Sequence, residues 1–290
     1  MRLLRLKHLL LTILSLSACI IWSCGAFAAG QETGFYLVSI GCGDPDNITV
    51  RAIKTIEKSQ VIFCDDTIKT MWPDLLKGKE CLPTPPIAIH KYFRAKESGF
   101  AQGNPEQNKK AAKAEKALKS FVKTVTDAVK SGKIVSLLDY GDPCIYGPYI
   151  WTVDVLKQFN PKVIPGVSSF NAANAAIGRG LTFGQAAKSA ILTNGADLRD
   201  GYEGADTLDR LCASHSSMVL FTMFTDFEKL VKELSSRYPE DTPMAIVVKA
   251  GYEKDEQVIK GTLSDIVAKA KAFGKVPFEN LIYVGDFMAE

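Results

Sequence analysis

The chain contains an apolar run, a glycine-rich loop, an amphipathic stretch and a second apolar run, in that order. The first run covers residues 35–40 (FYLVSI), and the loop Gly41-Cys42-Gly43-Asp44 follows it directly. Thr49 is suited to cap a helix. That helix would carry three apolar residues on one face, at spacings of three: Val50, Ile53 and Ile56. With the second run at residues 61–64, the pattern predicts an α/β unit with a parallel sheet.

Two later apolar runs end in loops of the same kind. Residues 134–138 (IVSLL) lead into DYGDP at 139–143, and Val163-Ile164 lead into PGVSS at 165–169. The carboxyl ends of parallel strands lie at one edge of the sheet, where open α/β folds bind their ligands. Glycine lets the backbone approach a ligand closely, and small hydroxyls and amides supply hydrogen bonds. We therefore expect the three loops to meet in one binding site.

The second half of the chain has a different pattern, with no internal repeat. Five short apolar segments are predicted as strands: Ala190–Thr193, Met218–Phe221, Met244–Val248, Gln257–Ile259 and Leu281–Val284. Helices are predicted near residues 226–236 and 263–273. We therefore expect an N-terminal α/β domain over residues 29–168, followed by a separate α/β or α+β layer over residues 169–290.

Residues 1–28 are typical of an export signal. They combine a basic start, an apolar stretch at residues 9–22 and a small-residue cleavage motif ending at Ala28. We expect cleavage after Ala28 and a location outside the cytoplasm, with the periplasm as the expected compartment. Two alternatives stay open. A lipoprotein signal would be modified at Cys19, because the preceding residues resemble a lipobox, and an uncleaved segment would attach the protein to a membrane.

Outside this segment the charge is balanced. Residues 1–28 hold three of the 35 basic residues and no acid, so 32 Lys+Arg face 32 Asp+Glu in the remainder. A protein that binds nucleic acid normally keeps a basic surplus, so nucleic acid is not an expected partner. Five cysteines remain, without a CxxC spacing, which does not support a zinc ribbon or a thioredoxin-like site. One or two disulfides stay open.

Taken in order, the loops resemble those of the S-adenosylmethionine-dependent tetrapyrrole methylases of corrin and siroheme synthesis. The segments that carry the resemblance are FYLVSIGCGDPDNITVRAIKTIEKSQVIFCDD, LLDYGDPCIYG and VIPGVSSFNAA. It continues more weakly through SMVLFTMFTDFEKLVKEL, PMAIVVKAGYEKDEQVIKGTL and ENLIYVGDF. This resemblance implies two α/β domains with the ligand cleft between them, S-adenosylmethionine as methyl donor, a tetrapyrrole substrate and a homodimer.

The matching motifs also imply which residues form the site. Those expected to contact the donor are Gly41, Cys42, Gly43, Asp44, Tyr140, Gly141, Asp142, Ile145, Ser168, Ser169, Thr222 and Gly251. Asp65 matches an acidic residue proposed as proton acceptor in siroheme-type members, with helix capping as the alternative. Asp142 has the alternative role of fixing its own loop. No metal ligand is implied.

The chain departs from the family pattern in two places. Members usually have proline where Cys42 stands, and the lysine of a GKR-like segment has no counterpart in ECLPTPPIAIH at residues 80–90. The missing lysine argues against a uroporphyrinogen methylase. Together with the export signal, these departures leave open an exported, non-catalytic protein that binds a tetrapyrrole or a metal chelate. Residues 47–59 (NITVRAIKTIEKS) also resemble diphthine synthases, a further branch, but YGDPCIYG and PGVSS favour the porphyrin and corrin branch.

A metal site is a separate hypothesis that rests on the cysteines. Cys42, Cys64 and Cys144 all fall on loops that are expected to converge, so they are candidates to ligate a metal or the metal of a macrocycle. The alternative is that they are unrelated small residues or form a disulfide.

Overall fold

The computed structural model describes residues 34–97, 105–182, 188–198, 201–223 and 225–289. These residues form two five-stranded sheets, one after the other along the chain. The predicted signal segment, with Cys19 and Ala28, lies outside the described residues. Within the described ranges, no helix combines the length and the apolar character that a membrane span requires.

The first sheet is entirely parallel, as predicted. Its strands are β1 (Phe35–Ser39), β2 (Val61–Phe63), β3 (Glu80–Leu82), β4 (Val135–Asp139) and β5 (Lys162–Ile164). They lie side by side in the order β3-β2-β4-β1-β5. Because β4 and β1 occupy the centre, their carboxyl ends carry the second and first glycine loops to adjacent positions at one edge.

Helices cover both faces of this sheet, as a parallel sheet requires. They are α1 (Val50–Lys58), α2 (Asp66–Met71), α3 (Pro73–Leu76), α4 (Ala88–Glu97), α5 (Pro105–Lys130) and α6 (Trp151–Val155). Ile62 packs with Ile56 and Ile68 on one face, whereas its neighbour Phe63 packs with Phe121 and Trp151 on the other. This alternation along β2 follows from the two-residue period of a strand.

The predicted start of α1 is confirmed, but its predicted apolar face is not. Oγ1 of Thr49 accepts a hydrogen bond of 3.1 Å from the Ala52 amide and so caps the helix. Val50 is 66% exposed, while the buried stripe consists of Ala52, Thr55 and Ile56. At about 100° per residue, Val50 lies on the opposite side of the helix from this stripe. Residues spaced repeatedly by three therefore move around the helix, whereas alternating spacings of three and four keep residues on one face.

The second sheet is mixed. Its strands are β6 (Ala190–Asn194), β7 (Ser217–Phe221), β8 (Pro243–Val248), β9 (Gln257–Thr262) and β10 (Asn280–Val284), in the order β6-β7-β10-β8-β9. Only β6 and β7 pair in parallel among these strands. The five strands predicted in this half are all present.

Four further helices surround the second sheet. They are α7 (Ser169–Ile177), α8 (Leu208–Ala213), α9 (Phe227–Ser235) and α10 (Ile266–Phe273). Ala173 and Ile177 of α7 pack on one face, and the hydroxyl of Tyr283 in β10 donates to the Phe170 carbonyl at 3.0 Å. Helices α8, α9 and α10 pack on the other face. The division of the chain into domains at residue 168 stays a prediction.

Candidate active site

The first two glycine loops are joined by backbone hydrogen bonds. The Gly141 amide donates to the Gly41 carbonyl at 2.7 Å, and the Ile40 amide donates to the Asp139 carbonyl at 2.9 Å. Gly41 and Gly141 have φ values of +82° and +67°, in the left-handed region that favours glycine. The predicted convergence of these two loops is therefore present in the structure.

Asp142 joins the second loop to the third. Its Oδ1 accepts from the Cys144 amide at 2.8 Å, and its Oδ2 accepts from the Gly166 amide at 3.2 Å. The Ile145 amide donates to the Asp142 carbonyl at 3.0 Å, which tightens the same turn. Asp142 thus fixes its own loop, which was one of its two predicted roles. It also anchors the proline–glycine turn of the third loop.

The third loop ends in a capped helix. Ser168 caps α7, with its Oγ accepting from the Asn171 amide and its own amide donating to Oδ1 of Asn171. Gly141 faces this cap, because a Cβ atom on Gly141 would lie 3.8 Å from the Ser168 Cα and 4.0 Å from the Ser169 nitrogen. The second and third loops therefore meet at Gly141, Ser168 and Ser169. That these residues line a binding site stays a prediction.

The first loop also contacts the second half of the chain. The Asp44 amide donates to the Gly251 carbonyl at 2.9 Å, and Oδ2 of Asp44 accepts from the Glu253 amide at 2.8 Å. A Cβ atom on Gly43 would lie 2.2 Å from the Gly251 carbonyl group, so this contact requires glycine. Asn47, which the sequence analysis did not single out, donates through Nδ2 to the carbonyls of Cys42 and Gly251.

Cys42 takes part in the same contact. Its thiol donates to the Ala250 carbonyl at 3.2 Å. Burial raises the pKa of this thiol to about 11, and the carboxylates of Glu279 and Glu256 add to the shift. The Cys42 thiol is therefore a neutral hydrogen-bond donor at the contact between the two sheets. A proline at this position would have no group that could donate this hydrogen bond.

Thr222 directly follows β7, whose last residue makes an aromatic contact with the second glycine loop. Its hydroxyl donates to the Asn280 carbonyl at 2.9 Å, which ties the end of β7 to the start of β10. The neighbouring Phe221 ring lies 4.4 Å from the ring of Tyr146, measured between centroids. Tyr146 belongs to the second glycine loop, so this pair brings the end of β7 to that loop. Tyr146 was not predicted from the sequence.

Asp65 follows β2 at the same edge of the first sheet. Its Oδ1 accepts from the Ile68 amide at 2.8 Å and from the Tyr140 hydroxyl at 3.2 Å. Asp65 thus caps α2, which was one of its two predicted roles, and also contacts a residue of the second loop. Its role as proton acceptor stays a prediction. Burial raises the pKa of Tyr140, and the Asp65 carboxylate raises it further, which keeps the phenol a donor.

The proposed cysteine metal site is wrong for the described structure. Cys64 points into the apolar layer beneath α1, Cys42 faces Ala250, and Cys144 is exposed. Alternation along β2 explains the result, because Cys64 and Asp65 point to opposite sides of the strand. In the ranges that the structure covers, no three Cys, His, Asp or Glu residues are grouped to hold a metal ion, and the five cysteines are free thiols.

Comparisons with known proteins agree with this geometry. The sequence profile of the tetrapyrrole (corrin/porphyrin) methylases matches residues 34–267. A precorrin-4 C(11)-methyltransferase of a Sinorhizobium species is 39% identical over 86% of this chain and 88% of its own. A uroporphyrinogen-III C-methyltransferase of Methanocaldococcus jannaschii is 32% identical over 86% of this chain and 94% of its own.

A solved structure gives the same result for the fold. The X-ray structure of a cobalamin biosynthetic enzyme, cobalt precorrin-4 methyltransferase, superposes with a TM-score of 0.67 at 25% identity. The match covers 88% of this chain and 96% of that one.

Proposed function

Since the chain belongs to the tetrapyrrole (corrin/porphyrin) methylase family, we propose that it methylates ring carbon C-11 of a corrin precursor of the precorrin-4 type. The protein is an S-adenosylmethionine-dependent methyltransferase that acts on a tetrapyrrole. The choice of precursor is supported by the relative at 39% identity and by the solved structure, which are both precorrin-4 enzymes. The missing lysine of the GKR-like segment supports it over uroporphyrinogen.

The three joined loops fit the methyl donor. Backbone amides and carbonyls at glycines with positive φ provide a surface without side chains, and Gly141 has ordinary van der Waals space in front of it. We assign donor binding to three groups of residues. These are Gly41, Cys42, Gly43 and Asp44; Tyr140, Gly141, Asp142, Ile145, Ser168 and Ser169; and Thr222 and Gly251. When bound, S-adenosylmethionine supplies a methyl group that is already activated by its positive sulfur.

The residues of this chain then have to orient the macrocycle and remove a proton from it. Asp65 is suited to the second task. The hydrogen bonds from Ile68 and Tyr140 both end on Oδ1, so Oδ2 is the oxygen available to accept a proton. Tyr140 lies 43% exposed beside it and offers an aromatic surface at the same point.

The test is methyl transfer with defined substrates. The purified chain is mixed with methyl-labelled S-adenosylmethionine and, separately, with precorrin-4, cobalt-precorrin-4 or uroporphyrinogen III. We expect a product heavier by one methyl group from a precorrin-4 substrate, with the label at C-11 by carbon NMR. Methylation of uroporphyrinogen III alone would overturn the choice of substrate, and S-adenosylhomocysteine formation from none of the three would overturn the proposed reaction.

Export and dimer formation are further proposals. The pattern of residues 1–28 supports secretion with cleavage after Ala28, and the family resemblance supports a homodimer. Sequencing the N-terminus of the protein from its native cell tests the first proposal: a start at residue 29 is expected, and a lipidated Cys19 or an intact Met1 would contradict it. Sedimentation of the purified chain tests the second, and a monomer at micromolar concentration would contradict it.

A further inference from the structure

Strand β4 ends in a carboxyl group that lies inside the protein. Asp139 is 2% exposed, and its Oδ2 has no hydrogen-bond partner in the described residues. Among the buried side-chain atoms without a partner in this part of the chain, Oδ2 is the one carboxyl oxygen. When Asp139 is ionised, Oδ2 loses its hydration and gains no hydrogen bond in return. A purely structural role does not explain why an acid stands there.

Asp139 lies opposite Asp65. Strands β2 and β4 pair with Phe63 facing Leu137, and the same register continued by two residues sets Asp65 against Asp139. The two acids therefore end adjacent strands at the edge where the glycine loops meet.

Tyr149 is within electrostatic reach of both acids. Burial raises the pKa of Tyr149, a hydrogen bond with Thr84 opposes the shift, and the charges of Asp139 and Asp65 each raise it further. Both acids and this phenol therefore share one neighbourhood. Tyr149 lies two residues before Trp151, the first residue of α6, and the two side chains pack in the same interior layer.

From this placement we propose that Asp139 is the final acceptor of the proton that leaves the macrocycle, which it receives from Asp65 on the adjacent strand. The proposal rests on the proposed function. In the reaction a bond forms between the methyl carbon and the ring carbon. The methyl–sulfur bond breaks, and its electron pair stays on sulfur. The macrocycle then loses one proton to Oδ2 of Asp65, and Asp139 in its ionised form takes that proton over.

The surroundings of Asp139 favour its protonated form. Burial raises the pKa of Asp139 to about 7; a hydrogen bond from the Tyr140 amide opposes the shift, and the charge of Asp142 adds to it. On β1, the uncharged Ser39 pairs with Asp139, and Ile89 of α4 and Phe121 of α5 pack in one apolar layer with the nearby Leu137. The titratable groups around Asp139 are thus Asp65, Tyr140, Asp142 and Tyr149. An acceptor with a pKa near the working pH is the most effective one.

The test compares the pH dependence of D139N with that of the wild-type protein. Asparagine keeps the shape of the side chain but cannot accept the proton. We expect the single-turnover rate of the wild type to rise as pH passes about 7. D139N is expected to be about 100-fold slower at pH 8 and to lose the rise. D154N, which removes an exposed acid from α6, is the matched control and keeps the wild-type profile.

Calorimetric binding of S-adenosylhomocysteine shows whether D139N retains its donor site. The proposal is overturned if D139N is as fast as the wild type. It is also overturned if D139N is slower by the same factor at every pH, so that its rate still rises near pH 7.

A second measurement separates this proposal from the proposed function and needs no turnover. In wild-type protein with labelled aspartate, infrared spectroscopy is expected to show a protonated carboxyl band at pH 6 that is lost by pH 8.5. D154N retains this band. If the wild type transfers no methyl group but shows the band, the proposed function fails and the titration of Asp139 stands. If the band is absent, the proton-acceptor role fails, whatever the activity or the folding of D139N.

Discussion

The Tyr140 hydroxyl donates a hydrogen bond of 3.2 Å to Oδ1 of Asp65, the oxygen that also accepts the Ile68 amide at 2.8 Å. Two donors on one oxygen fix the orientation of the carboxylate. Because Tyr140 belongs to the second glycine loop, the bond also ties the proton acceptor to the donor-binding residues. The position of Asp65 therefore depends on that loop.

Removing the Tyr140 hydroxyl should slow methyl transfer without unfolding the protein. In Y140F the ring remains and Oδ1 keeps one donor, so we expect kcat to fall about tenfold, the worth of one hydrogen bond to a charged group. Steady-state kinetics with a precorrin-4 substrate measure the effect. Y202F is the matched control, because Tyr202 makes a similar bond of 3.0 Å to Asp206 on an exposed loop. Equal activities of the two variants would contradict the prediction.

The contact between Gly43 and Gly251 should not tolerate a side chain. In G43A the new methyl group meets the Gly251 carbonyl at 2.2 Å, and neither backbone can yield without breaking the Asp44 hydrogen bonds. We expect the affinity for S-adenosylhomocysteine to fall more than tenfold and the free energy of unfolding to fall by about 2–3 kcal/mol. Calorimetry and urea denaturation measure the two quantities.

The control for this prediction is G132A. Gly132 has nearly the same positive φ, +81°, but has open space where a Cβ atom would stand. Its substitution isolates the backbone strain, which amounts to about 1 kcal/mol, and leaves ligand binding unchanged. If G43A and G132A behave alike, the contact with Gly251 contributes nothing beyond that strain.

The parallel sheet and its loops were predictable because their signals are local. Largely apolar residues in β1 and β4, each followed within two residues by glycine and then by aspartate, specify a buried strand and a tight turn without reference to distant residues. Strand β3 was missed for the opposite reason. Glu80–Leu82 is a three-residue edge strand, exposed at one end, and its existence depends on pairing with β2.

The interior of the site was less predictable. Asp139 and Asp65 are 74 positions apart, and they meet only because β4 inserts between β2 and β1. Strand order of this kind is a tertiary property that no local pattern encodes. One signal was available: Asp139 directly continues an apolar run, and buried acids are rare unless they have a partner.

The Cys42 thiol should resist alkylation. With a pKa of about 11, its thiolate fraction at pH 8 is roughly a hundredfold below that of an ordinary cysteine, so iodoacetamide should react about 100-fold more slowly. The exposed Cys144 should react first. Peptide mass mapping over time measures both rates, and the same reaction in guanidinium, where all thiols are equally open, is the control. Labelling of Cys42 as fast as Cys144 would contradict the buried position.

Asp139 should also make the stability of the protein depend on pH. Its carboxyl group keeps a proton in the folded state up to about pH 7, whereas the unfolded chain releases that proton near pH 4. The folded state therefore binds more protons between these values, and stability falls as pH rises through this window, by about 1.4 kcal/mol per pH unit. D139N removes this contribution. Urea denaturation of both proteins from pH 4.5 to 8 should show the wild type losing stability relative to D139N up to pH 7, with a constant difference above it. Parallel curves across the whole range would mean that Asp139 is already ionised in the folded protein.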